Sequence, residues 1–286
     1  METHHWAVPR AIWVGLTAVT VYVAVVLGLG DLLDNLSDDT ILSLILGQWV
    51  PVALLIALGV IFTWKAGWAR DTWASPSVFT ERRRWWMLAI PVALVLQIIV
   101  IFVGVPWAER SLLFVAVVLI ASLLIGLGEE LYFRGIFLTS ILGHHGELVA
   151  LLITSLVFGI AHAFKFLVVG VPVEAIALNV GFLAMDGALF YGCLRATGTL
   201  WVPILLHGLG DFARFAQQGT GDTIDTGVAG GSGESEAIDF LTAGVEYLLI
   251  GLSIALVVSV ARNDRRVRAA AKTPAAQEPA SDRNVS

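Results

Sequence analysis

Three short runs hold the residues most able to do chemistry: Glu129-Glu130-Leu131-Tyr132-Phe133-Arg134, Phe158-Gly159-Ile160-Ala161-His162 and His207-Gly208-Leu209-Gly210-Asp211. Each lies inside a long apolar stretch. An ionised side chain at bilayer depth costs about 2.5–3.5 kcal/mol on insertion scales, so such groups need a partner or a wet cavity. On a helix, Glu130 and Arg134 share a face and pair, while Glu129 points about 100° away from Glu130. One carboxylate is then neutralised locally and the other faces something else. His207 and Asp211, four apart, also share a face. That spacing suits two metal ligands, or one ligand and the carboxylate that orients it. Taken singly, each run has a bland reading: an interfacial Glu–Arg pair, a hydrogen-bonded structural histidine, a His–Asp contact stitching helices.

Together they match a known chemical need. A catalytic zinc takes three His or carboxylate ligands and keeps one position open. It brings the pKa of bound water to about 7 and polarises a carbonyl. A nearby carboxylate then acts as general base and passes the proton to the leaving amine. Two histidines, an aspartate and a glutamate pair fill these roles with none left over. The H-E-x-x-H run of soluble metalloproteases is absent, so the site must be assembled from separate helices. Cys193 is the single cysteine, which excludes an internal disulfide and a cysteine-rich metal cluster.

The elements that must position these residues are membrane helices. The 286-residue chain is 57% hydrophobic and 14% charged, with a mean hydropathy of +0.84. An ordinary soluble domain is about 25% charged, so lipid is the solvent for most of this chain. We expect an all-α, polytopic membrane protein of about eight transmembrane helices. They lie near Ala11–Gly30, Ile41–Trp64, Trp85–Gly104, Leu113–Leu142, Leu148–Phe166, Glu174–Thr197, Thr199–Phe215 and Ile238–Val260. The fourth is too long for one upright span and must tilt or begin at the interface. The first follows Arg10, is long for a signal peptide and lacks a small-residue cleavage site, so it reads as retained.

Charge placement tests this count. The segment Asp31–Thr40 holds Asp31, Asp34, Asp38 and Asp39 with no base, and Gln217–Ala237 holds only acids. Lys65–Arg84 and the region after the last helix are rich in Arg and Lys. Basic loops sit in the cytoplasm, so an even number of helices with both termini inside satisfies every segment. Residues 1–261 form the helical domain, with a catalytic core near 112–216. Residues 262–286 read as a cytoplasmic tail, disordered from about Lys272, and Gly219–Ser235 as a flexible outer loop. Counting at 1.5 Å per residue puts Glu129 and His162 each roughly 20 Å from the turn near Gly143–Gly146. From the turn near Gly198, His207 is roughly 12 Å deep and Asp211 roughly 18 Å deep. One layer of the membrane thus collects both histidines and the carboxylates.

The runs Glu129-Glu130-x-x-Phe133-Arg134, Phe158-x-x-x-His162 and His207-x-x-x-Asp211 resemble the motifs of the CPBP intramembrane proteases, the CAAX protease and bacteriocin-processing (Abi) family. Phe182–Gly192 with Gly187, followed by Thr197-Gly198-Thr199-Leu200-Trp201-Val202-Pro203, is similar to the same family. The resemblance covers roughly 112–215. It implies a CAAX-protease-like bundle of eight helices that cleaves a peptide bond near the membrane. Glu129 would activate water. His162, His207 and Asp211, with Glu129, would hold a metal or the oxyanion, and Glu130 with Arg134 would be a structural or orienting pair. The catalytic set is therefore Glu129, Glu130, His162, His207 and Asp211. The implied cofactor is a divalent metal, zinc by preference. The family more often has Asn where this chain has Asp211. Asp is the better metal ligand, adds a negative charge, and leaves the ligand set open.

The expected partners are the lipid bilayer and a peptide or membrane-anchored protein substrate, with no nucleic acid, in the cell membrane. The alternatives are a non-catalytic immunity or scaffold protein of the same fold, or a proton-coupled transporter. A transporter would show broken helices or inverted repeats, and none is evident. His4, His5, His144 and His145 read as solvated. Tryptophans cluster near helix ends as an interfacial belt, Trp68 among them, with Trp49 read as packing. Arg82-Arg83-Arg84 reads as a topology anchor. Asp186 lines the same cavity or meets Lys165.

Overall fold

The computed structural model describes residues 6–74, 85–219 and 236–272. Eight long helices follow one another: α1 (Ile12–Asp34), α2 (Ile41–Lys65), α3 (Trp85–Val103), α4 (Leu112–Leu142), α5 (Glu147–Val169), α6 (Val173–Thr197), α7 (Trp201–Gln218) and α8 (Glu236–Lys272). No strand forms among the described residues; a single bridge joins Ala74 to Thr199. The Arg82–Arg84 run, His4, His5, residues 220–235 of the expected outer loop and the tail beyond Lys272 lie outside the described residues.

Seven of the eight helices are long and apolar enough to cross a membrane. The exception is α7, which spans the 18 residues Trp201–Gln218. Its length would cross much of the hydrocarbon, but His207, Asp211 and Arg214 make it polar. Half of its residues are buried, and it packs against α3, α4 and α6. The fold is a polytopic all-α membrane protein, as expected.

The outer surface shows where lipid belongs. Leu54, Leu58 and Ile61 on α2, Val92, Leu96 and Ile99 on α3, and Leu152, Leu156 and Ile160 on α5 are all exposed. Their three- and four-residue spacing draws an apolar stripe along each helix. The opposite stripe, such as Ile90, Ala93, Leu94 and Ile101 on α3, packs inward. The second half of α4 and the second half of α6 are buried on all sides. They form the centre of the bundle.

Successive helices alternate in direction. At one end, Trp6 N–H donates to Lys65 O at 2.7 Å and Arg10 pairs with Asp71 at 2.7 Å. At that same end Leu200 N–H donates to Trp73 O, and Asp264 of α8 accepts from the Glu147 and Leu148 amides that open α5. The opposite end joins Arg110 to the Ala216 and Gln217 carbonyls that close α7. The first end therefore collects Arg10, Lys65, Arg70, Arg195 and the arginines of α8, while Asp31, Asp34, Asp38 and Asp39 are at the other. Lys/Arg segregation of this kind is what the loop charges required.

Three local expectations change. α8 continues through the basic run to Lys272, past the expected helix end near 261. α4 is not uniformly α-helical: Leu131–Phe137 form a π segment directly after Glu130. Such segments recur at functional sites, because an inserted residue re-aims the side chains beyond it. Trp68 is buried rather than interfacial, with its ring edge-on to Phe62. Trp6, Trp13, Trp64, Trp85, Trp107 and Trp201 are exposed, as an interfacial belt requires. His144 and His145 are exposed in the α4–α5 turn.

Candidate active site

Close helix contacts come first. A methyl group on Gly126 of α4 would lie 2.7 Å from the Gly208 amide of α7, and one on Gly208 would lie 2.9 Å from Ser122 O. Small residues at both positions let the two backbones meet. Gly187 of α6 similarly makes room for Arg134, whose Nη2 would stand 2.9 Å from an added Cβ. The helices that carry the chemistry therefore approach one another at the depth of the polar residues.

Glu130 and Arg134 form the buried base of the site. Both side chains are fully buried, and Arg134 Nη1 donates to Glu130 Oε1 at 2.9 Å. The rings of Phe158 and Phe190 flank the guanidinium, 4.2 and 5.5 Å from its carbon. Cation–π attraction offsets part of the cost of burying this charge. The same Oε1 accepts from His207 Nδ1 at 2.9 Å. A carboxylate that already accepts from Arg134 can only accept from His207, so Nδ1 carries a hydrogen and a neutral ring presents a lone pair at Nε2. Phe190 stacks on the His207 ring with centroids 4.6 Å apart and planes at 11°, which fixes its direction.

His162 is set in the same way. Its Nδ1 donates to the Phe158 carbonyl at 2.9 Å, one turn back on α5. Both Nε2 atoms then face Glu129. Glu129 Oε2 is 3.6 Å from His207 Nε2 and 3.8 Å from His162 Nε2. Asp211 Oδ2 is 3.4 Å from His207 Nε2. Glu129 Oε2 has no hydrogen-bond partner. Both Nε2 atoms and two carboxylate oxygens thus point inward, and with neutral rings all four are acceptors. Side-chain exposure grades across the group, from 0% at Glu130 and 6% at His207 to 15% at Glu129 and 33% at His162. The opening is on the His162 side.

This donor set suits a hard or borderline cation. Each imidazole uses its other nitrogen as a donor, the arrangement that orients metal-bound histidines. Two ligand atoms on a tetrahedral zinc stand about 3.4 Å apart, given bonds near 2.1 Å. The separations in the site, 3.4–3.8 Å, are at or slightly beyond that edge. Among the described residues, no group of three or more His, Cys, Asp or Glu side chains closes around one ion position. The atoms have the right chemistry in a cage that is still open.

All four inward-facing residues, Glu129, His162, His207 and Asp211, were expected from the sequence and meet as expected. Glu130 and Arg134 are behind His207, in an orienting position. Arg214 was overlooked, although it follows His207 by seven residues and Asp211 by three and so shares their face. Its Nη1 is 3.6 Å from Asp211 Oδ1 and its Nη2 is 3.9 Å from Asp186 Oδ2. That placement accounts for Asp186; the Lys165 side chain lies outside the described residues. Tyr22 of α1 was also missed. Its hydroxyl would stand 2.8 Å from a Cβ on Gly128, beside Glu129, and its ring lies 4.7 Å from that of Tyr132. No motif in α1 marks it.

The deciding comparison covers this same stretch. Residues 111–213 match the family of type II CAAX prenyl endopeptidase Rce1-like proteins. No curated protein and no solved structure matches the chain. The Rce1-like segment opens at Ser111, whose side chain caps α4, and closes two residues after Asp211. It contains Glu129, Glu130, Arg134, His162, Asp186, His207 and Asp211, and it stops one residue short of Arg214. α1 to α3 and α8 are outside it. The similarity is confined to this segment, and the segment carries every acidic and imidazole group of the site.

Proposed function

We propose that this chain is an intramembrane metal-dependent endopeptidase that hydrolyses a membrane-associated peptide or protein. The observation that carries the reading is the convergence of Glu129 Oε2, Asp211 Oδ2 and both Nε2 atoms, with Glu129 Oε2 lacking a hydrogen-bond partner. Four acceptors facing one another repel unless a cation, or a water that donates to them, sits between. Formal charge agrees: Glu129, Glu130, Asp186 and Asp211 stand against Arg134 and Arg214. With neutral imidazoles this leaves two negative charges, which one divalent cation balances.

In this mechanism Glu129 Oε2 takes a proton from a water held between it and the histidines, and the water oxygen attacks the peptide carbonyl carbon. The carboxyl proton then passes from Glu129 to the amide nitrogen as the C–N bond breaks. Glu130 fixes the hydrogen of His207 on Nδ1 and so keeps Nε2 available. Phe158 and Phe190 exclude bulk water around His207 and Arg134. His162, His207 and Asp211 would hold the metal, which leaves Glu129 as the base. When bound, it lowers the pKa of water and polarises the carbonyl. Zinc suits this N/O donor set. We place the basic end of the bundle in the cytoplasm, with both chain termini there.

A metal-free form of the same hydrolysis is the second reading, favoured by the open spacing of the cage. In it His162 and His207 are protonated at both ring nitrogens, and their Nε2–H groups donate to the water and the oxyanion. The test is metal analysis of the purified chain beside cleavage of a peptide library, with Glu129→Gln and His207→Ala variants. Stoichiometric zinc lost in His207→Ala, with cleavage lost in both variants, is the expected result. Cleavage without metal selects the second reading. A folded, metal-free chain that cleaves nothing would leave a non-catalytic membrane partner.

A further inference from the structure

We propose that Arg214, backed by Asp186, is a positioning residue that holds Asp211 toward His207; its kinetic arm rests on the protease reading above. α7 presents His207, Asp211 and Arg214 at i, i+4 and i+7, which places them along one face. Asp211 is shared between two neighbours. Its Oδ2 is 3.4 Å from His207 Nε2, and its Oδ1 is 3.6 Å from Arg214 Nη1. The guanidinium is shared too, since its other terminal nitrogen, Nη2, is 3.9 Å from Asp186 Oδ2 on α6. One planar cation therefore spans two carboxylates from neighbouring helices.

The need for this span follows from the site. Asp211 Oδ2 and Glu129 Oε2 approach the same nitrogen, so two carboxylates share one corner of a poorly hydrated pocket. Like charges there repel strongly, because the attraction or repulsion of unit charges rises as the local dielectric falls. Beside the His207 ring, Arg214 is the cationic group on α7 that faces Asp211. Without Arg214 the outer oxygen loses its partner and the side chain is free to swing away from His207. Asp186 keeps the long Arg214 side chain from extending outward. The cleft around this pair is bordered by Leu94, Ile98, Phe190 and Leu206, which keeps it apolar. Glu246 of α8 also acts electrostatically on Asp186 and Arg214.

The position of Arg214 is informative in sequence terms as well. It lies one residue beyond the Rce1-like segment, while Asp186 and Asp211 lie within it. The support for Asp211 is thus drawn partly from the end of the helix that the family match does not reach.

The test is a double-substitution cycle on the full chain. Arg214→Met is expected to lower kcat about 10-fold or more with KM changed less than about 3-fold, as coupled neighbours in one charge network do. Arg214→Lys, which keeps the charge, is expected to recover most of the loss. In an Asp211→Asn background, where the side chain is neutral and needs no compensation, Arg214→Met is expected to cost less than about 3-fold relative to that background. Asp186→Asn is expected to give a partial version of the Arg214→Met effect. The same cycle read by melting temperature needs no activity: Arg214→Met lowers it more with Asp211 present than with Asp211→Asn, where only the Asp186 contact is lost. A coupled melting cycle in a chain that cleaves nothing sinks the protease reading and keeps the Asp211–Arg214 link. Equal losses in both backgrounds, a raised KM with intact kcat, or no coupling in the melts would each overturn the proposal.

Discussion

Two buried polar clusters cross-link this bundle, and they are built on opposite principles. At the basic end, Glu147 of α5 accepts from Tyr191 Oη at 2.7 Å, Arg195 Nε at 2.6 Å and Asn263 Nδ2 at 3.3 Å. Asp264 accepts from the two amides that open α5. Each of these carboxylate oxygens meets a donor, and α5, α6 and α8 are pinned together. In the middle of the bundle, Glu129 Oε2 and Glu130 Oε2 have no hydrogen-bond partner, and four acceptors face one another. A satisfied network rigidifies; an unsatisfied one is held in place by its surroundings and stores the capacity to bind. The first cluster reads as structure and the second as a site.

That contrast can be broken most sharply at Glu129. Glu129→Gln keeps the shape and removes the proposed base, so kcat/KM on a cleaved peptide should fall about 10²–10⁴-fold, with the melting temperature unchanged or raised. A variant that melts much lower would place Glu129 with the structural group instead. The mirror experiment is Glu147→Ala. It breaks the buried ion pair with Arg195 and should cost about 3–5 kcal/mol of stability, measured by chemical or thermal unfolding in detergent, while kcat per folded molecule stays near that of the parent. Loss of turnover without loss of stability would reverse the assignment of that cluster.

Glu130→Gln sharpens the comparison at the boundary between the two types. Glu130 orients His207 without facing the opening, so metal affinity or turnover should drop about 10–100-fold, the usual cost of losing a ligand's orienting partner. Titration with zinc beside steady-state kinetics checks it, and a null result would detach the buried base from the chemistry. The smallest effect is expected for His144→Ala with His145→Ala. Both imidazoles are exposed in a turn, so stability should move within about 0.5 kcal/mol and metal content should not change. Metal lost from this variant would point to a second, surface site.

Much of this was readable in advance, because it depends on short-range spacing. The Glu130–Arg134 pair and the His207–Asp211 face follow from four-residue separations, and both appear at 2.9 and 3.4 Å. Depth counted from the turns also placed His162 level with Glu129. Other features had no local signal. The π segment after Glu130 leaves no mark in apolar periodicity. The double use of Glu130 Oε1, by Arg134 and by His207, joins residues 77 apart in the chain. Trp68 resembles every other end-of-helix tryptophan until Phe62 is seen to cover it.

Sequence alone determined that this chain lives in lipid, how many long helices it makes, which of them carry ionisable groups, and which groups share a helical face. Those properties depend on transfer free energy and on the 3.6-residue period, and both act within one helix. Only the tertiary structure decided which atom of each side chain is spent on support and which is left facing inward. That depends on how glycines at positions 126, 187 and 208 let separate helices approach, and no pattern within a single helix contains it.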